Sequence, residues 1–163
     1  MSKFITEMLS EINENPDAIV KYKDNAALKL TLEHAFNPEK KFVLPEGDPP
    51  YKEDAAPLGM SPGNFLMEMR RLYVLCRKDL PALKRETIFI EMLESFHPSE
   101  SKVLLAVKDQ NLTSLYKNVT HKLAFDNGMV AVAPVEKVKK ERKKSVKTGQ
   151  NDSQEEELNE NQA

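Results

Sequence analysis

Tryptophan is absent from these 163 residues, cysteine occurs once, and glycine only five times. A single cysteine, Cys76, excludes an intramolecular disulfide, and its place in an apolar periodic segment predicts a reducing compartment. No stretch approaches the ~18 to 20 uninterrupted apolar residues that a membrane-spanning helix needs. Glu7 stands where a signal peptide would still be hydrophobic, so the expectation is a soluble, cytoplasmic chain. Equally missing are a Gly-rich phosphate loop, His-Glu-x-x-His, Cys-x-x-Cys and Gly-x-Ser-x-Gly. The three histidines, His34, His97 and His121, stand far apart in sequence, and each is expected to be structural rather than a metal ligand. Cys76 reads as a small core residue, because a nucleophile would need a base and exposure. Glu91 and Glu94 read as a solvated helix face. The chain is therefore expected to be no enzyme and to hold no cofactor and no metal.

What is present is charge, at 31% of residues, with a formal balance of only −2. Its distribution is uneven. Residues 136–147 hold seven basic residues against two acidic ones, and residues 152–160 hold five acidic residues and no basic one. Such segments bury too little apolar surface to offset the ~1 to 2 kcal/mol per residue that backbone ordering costs. Residues 136–163 are expected to form a disordered polyampholyte tail, either solubilising or directed at nucleic acid.

Residues 1–135 read as a helical domain. Phe4, Ile5, Met8, Leu9 and Ile12 recur at helical spacing, and Asn15 followed by Pro16 has the chemistry of an N-cap and first helical position. Asp24 or Asn25 caps a helix carrying Leu28, Leu32, Ala35 and Phe36, which stops at Asn37-Pro38. Residues 38–62 contain six prolines and two glycines, too many for regular structure. This proline-rich loop reads as an arm lying over the helices, pinned through Phe42, Val43, Leu44, Tyr51, Leu58 and Met60.

Ser61-Pro62 is expected to open the next helix, with Phe65, Leu66, Met69, Leu72, Tyr73 and Cys76 on its apolar side. At 100° per residue Arg70, Arg71, Arg77 and Lys78 share a different arc. Lys84 and Arg85 follow after Asp79-Leu80-Pro81. Residues 70–86 carry six basic residues and two acidic ones, whereas residues 1–58 carry seven and eleven. The six bases form a candidate basic ridge, for which the alternative is an ordinary solvated face. His97-Pro98-Ser99-Glu100 starts a buried helix through Val107, residues 111–116 read as a turn, and Asn118 is expected to cap a last helix ending at Asn127-Gly128. The fold class is all-α, a compact domain of six or seven helices.

Three segments carry a resemblance: Ile5 to Ile12 (ITEMLSEI), Lys21 to Lys29 (KYKDNAALK) and Ser101 to Leu112 (SKVLLAVKDQNL). Their order and spacing resemble the N-terminal DNA-binding domain of phage-type ATP-dependent DNA ligases, and the chain as a whole resembles small uncharacterised proteins of large tailed marine bacteriophages. The resemblance implies an all-helical fold that cradles duplex DNA through phosphates, in a host cytoplasm, with Lys108 and Asp109 at the positions of the ligase family's late turn. The ligase Lys-x-Asp-Gly is absent, so no adenylation chemistry is implied. The expected function is that of a noncatalytic accessory protein of phage DNA metabolism. It would bind duplex or nicked DNA without sequence specificity through Arg70, Arg71, Arg77, Lys78, Lys84, Arg85 and Lys108. The alternative is a protein adaptor that docks a host or phage replication or transcription component through the arm or an amphipathic helix, presenting an apolar patch instead of a basic one.

Overall fold

A computed structural model describes residues 3–134; the charged segment 136–163 lies outside the described residues. Among these residues there are seven α-helices, three 3-10 helices and no strand: α1 (Ile5–Glu14), α2 (Ala26–Phe36), α3 (Phe65–Glu68), α4 (Ala82–Ser95), α5 (Pro98–Lys108), α6 (Leu112–Leu115) and α7 (His121–Asp126). The 3-10 helices are Pro16–Tyr22, Pro38–Lys40 and Met69–Cys76.

Local chemistry accounts for most boundaries. The Asn15 side chain accepts from the Asp17 amide at 3.2 Å and Asn37 from the Glu39 amide at 3.0 Å, each with proline next in the chain, where a missing N–H costs nothing. Asn25, not Asp24, caps α2, accepting from the amides of Ala27 and Leu28 at 2.9 and 3.1 Å. His97 caps α5 by accepting from the Ser99 amide. Beyond α7 and its C-cap Asn127 the chain turns away at Gly128, whose φ of +70° is cheap only for glycine.

The centre of the core is α5, which packs against α1, α2, α4 and α6 and buries Val103, Leu104 and Val107 completely. It also buries Glu100, Ser101 and Lys108, so polar atoms there must find partners inside. Ser101 does so by donating to the Leu93 carbonyl at 2.8 Å. From α1 come Ile5, Met8, Leu9 and Ile12, and from the chain after Gly128 come Met129 and Val130, all buried.

Four expectations need correction. Ser61 does not cap a helix. Gly63 hydrogen-bonds to the Ser95 carbonyl at 2.9 Å, which ties this stretch to the end of α4, and Asn64 becomes the cap by accepting from the Met67 amide. The helix that follows holds α-geometry for one turn and then tightens to three residues per turn, so that Met69, Leu72 and Leu75 point inward while Tyr73 is 60% exposed. Residues 112–115 form a helical turn with Leu112 buried. Asn118 does not cap α7; Thr120 does, and Asn118 instead donates two hydrogen bonds to Asn13 at the end of α1, from its amide to the Asn13 side-chain oxygen and from its side chain to the Asn13 carbonyl.

The proline-rich stretch is a covering arm. Phe42 is buried between the rings of His34 and Phe89, the Val43 amide donates to the Leu75 carbonyl at 2.9 Å, and the Lys52 amide donates to Glu94 on α4. Leu58 and Met60 do not pin it: Met60 is 74% exposed.

Candidate nucleic-acid interface

The basic segment spans the 3-10 helix Met69–Cys76, the link to α4 and the first turn of α4. Arg70, Arg71, Arg77, Lys78 and Lys84 are exposed there. Two of the five already have carboxylate partners: Arg71 donates to Glu68 at 2.8 Å, and Arg77 grips Asp79 through Nε at 3.1 Å and Nη2 at 2.5 Å. The Asp79 hydrogen bond raises the Arg77 pKa and the Arg77 guanidinium lowers that of Asp79. These are exposed ion pairs, which exchange readily with a competing phosphate.

Arg85 and Lys108 are not surface groups. Arg85 is 7% exposed, and its guanidinium donates to the carbonyls of Val43 at 2.9 Å, Arg77 at 3.0 Å and Leu80, stitching the arm and the end of the 3-10 helix to α4. Lys108 is 2% exposed and donates to the Pro45 carbonyl at 2.9 Å and to Asp109 at 2.7 Å. Spacing carries the signal for Arg85, which precedes Phe89 by four residues and Met92 by seven and so lies on the buried stripe of α4. Asp109 is the C-cap that follows α5, and Gln110 beside it adopts a positive φ of 51°. The Gln110 side chain donates to the carbonyls of His34 and Asn37, a pair of bonds that supports the unusual backbone.

The remaining reactive side chains are structural in their contacts. His34 and Cys76, 42 residues apart, meet with Nδ1 and Sγ 3.7 Å apart, and both approach the Lys40 carbonyl. Burial pushes the thiol pKa up and the imidazole pKa down, so both partners are driven toward their neutral forms. A thiolate and imidazolium pair is the reverse of this. His121 stacks on Phe36 and bonds the Val132 carbonyl. Among the described residues no three His, Cys, Asp or Glu side chains gather as a metal site, and no helix is long and apolar enough to cross a membrane.

One polar site escapes sequence reasoning. A small cavity of about 30 Å³ beneath the end of the arm is lined by Phe4, Gly59, Ser61, Asn64, His97 and Glu100. Glu100 is 1% exposed, and its Oε1 and the Ser61 hydroxyl lack hydrogen-bond partners. Desolvation pushes the Glu100 carboxyl up to about 7, against a smaller opposing effect of the Phe65 amide. In sequence Glu100 looks like a helix-dipole partner in the first turn of α5; only the overlying arm makes it a buried acid.

Fold and surface together define an all-helical domain with an exposed basic strip and a polar cavity under its arm. The chain belongs to a family of unknown function, DUF6433, whose profile matches residues 10–114, from α1 through α6. No curated protein and no solved structure matches it.

Proposed function

We propose that this protein is a noncatalytic DNA-binding accessory protein that contacts duplex phosphates through Arg70, Arg71, Arg77, Lys78 and Lys84. The observation that carries the proposal is that five bases on consecutive elements are exposed together, within a segment of net positive charge in a chain that is slightly acidic. The resemblance read from the Ile5, Lys21 and Ser101 segments to the DNA-binding domain of phage-type ligases accords with this reading. The site is smaller than the sequence suggested, because Arg85 and Lys108 are consumed by backbone carbonyls. Sequence specificity is not expected, and affinity would come from phosphates and be strongly salt-dependent.

The number of phosphates is measurable. At ~0.9 per neutralised phosphate, log affinity should fall against log salt with a slope between about −3, if Arg71 and Arg77 keep their carboxylates, and about −4.5, if they release them. Fluorescence anisotropy with duplex, nicked and single-stranded DNA tests this. Arg70→Glu with Lys78→Glu and Lys84→Glu changes only exposed positions, and should abolish binding by a chain ending at Pro134 without changing its helicity. Retained binding would refute the strip, and binding that vanishes with residues 135–163 would assign the activity to the lysine-rich segment.

A further inference from the structure

The arm and α4 enclose a second surface of opposite character. Leu44, Pro45, Pro49, Phe89 and Ile90 line a groove of about 320 Å³, room for about two bulky apolar side chains. Three carboxylates, Glu46, Asp48 and Glu86, stand around it. None of them takes part in the ion pairs formed among the described residues. The one cation in the lining, Lys108, is already held by Asp109 and the Pro45 carbonyl. The groove thus joins an apolar floor to carboxylates that stand outside the ion pairs of the described residues.

Its walls are unusually stiff for a loop. Pro45, Pro49 and Pro50 fix three backbone φ angles, and Gly47 with φ +88° turns the chain between them. The Lys108 and Arg85 hydrogen bonds anchor this wall to α5 and α4. A ligand entering here meets a surface that needs little ordering, which lowers the entropic cost of binding. Apolar floor, acidic surround and preformed wall select one chemistry.

We infer that this groove docks a segment of a partner protein in which lysine or arginine residues flank a pair of bulky apolar side chains. The apolar pair fills the floor over Phe89 and Ile90, and the flanking cations meet Glu46, Asp48 and Glu86. This surface is independent of the basic strip and would let one chain engage DNA and a protein together.

The test uses the full chain and a fluorescein-labelled hexapeptide of two lysines, leucine, phenylalanine and two lysines, read by anisotropy. Saturable binding is expected, weakened at least tenfold when the lysines become glutamates and at least fivefold when the apolar pair becomes two alanines. Glu46→Lys with Asp48→Lys, both at exposed positions, should also cost at least tenfold without weakening DNA binding. Ile90→Ser should weaken the peptide without altering its salt dependence. No binding by the full chain, equal binding of the alanine peptide, or unchanged binding by the Glu46/Asp48 variant would each overturn the inference. Binding that emerges only after removal of residues 135–163 would also overturn it, by giving the groove to the chain's own lysine-rich block. Because DNA binding is read separately, failure of the groove leaves the proposed DNA function standing, and the reverse.

Discussion

At the scale of single residues, three buried charged side chains decide more than the exposed ones. Glu100 has a carboxyl pushed up to about 7 by burial, whereas in the unfolded chain it titrates at its ordinary value of 4.5. Between those values the folded state holds a proton that the unfolded state has lost, so stability falls as pH rises from 4.5 to about 7 and is lowest above it. Integrated over that window the effect is on the order of 3 kcal/mol. Glu100→Gln should remove this slope, so that its urea midpoint exceeds that of the unsubstituted chain by more at pH 8 than at pH 5; an unchanged pH dependence would show that the carboxyl is not the titrating group. Arg85 makes the opposite case. Arg85→Met keeps the stem but leaves the carbonyls of Val43, Arg77 and Leu80 without their donor, an expected loss of about 3 kcal/mol in urea unfolding. Arg70→Ala, on the exposed strip, should change stability by no more than about 0.5 kcal/mol. Arg85 reads in sequence as part of the ridge, although its spacing before Phe89 and Met92 already puts it on the buried stripe of α4. Glu100 precedes Leu104 by four residues and Val107 by seven, and Lys108 follows Leu104 by four, so the same spacing puts both on the buried stripe of α5; what was not legible is the arm that closes over them.

At the scale of elements, legibility follows the reach of the deciding interaction. Asn15, Asn25, Asn37 and His97 cap through bonds to amides two or three residues onward, and those boundaries can be read from the chain directly. The start of α3 cannot, because the bond from Gly63 to the Ser95 carbonyl spans 32 residues and shifts the cap to Asn64. The change from α to 3-10 geometry after Glu68 is likewise invisible to a 100° pattern, and it exchanges Tyr73 for Leu75 on the buried face. Leu75→Ala should therefore destabilise by about 2 to 5 kcal/mol, and Tyr73→Ala by no more than about 0.5 kcal/mol, in the same denaturation assay. The reversed ranking would restore the uniform α-helix. The same tightening bears on the strip, because at three residues per turn Arg70 falls on the line of Tyr73 and Arg71 on the next, both away from the buried line of Met69, Leu72 and Leu75.

At the scale of the whole molecule, the acid-rich first 58 residues and the base-rich segment 70–86 do not neutralise each other. The acidic arm flanks a groove with its carboxylates unpaired, while the basic strip stays exposed. This separation is the physical basis for proposing two surfaces, and it was visible in the charge counts, although the groove was not. The arm's attachments have a further consequence, for the order in which the chain assembles. Val43 is held by Leu75 and Arg85, Pro45 by Lys108, and Lys52 by Glu94, so that each of these hydrogen-bond anchors lies later in the chain, while the His34 ring against Phe42 precedes the arm. A nascent chain emerging from the ribosome exposes residues 41–60 before any of these anchors exists, so the arm must wait for α4 and α5. In pulse-labelled hydrogen exchange the Val43 amide should gain protection after those of α4, and simultaneous protection would refute this order. The prolines and acidic groups that give the groove its wall would also keep the waiting segment from pairing as a strand with its neighbours during translation.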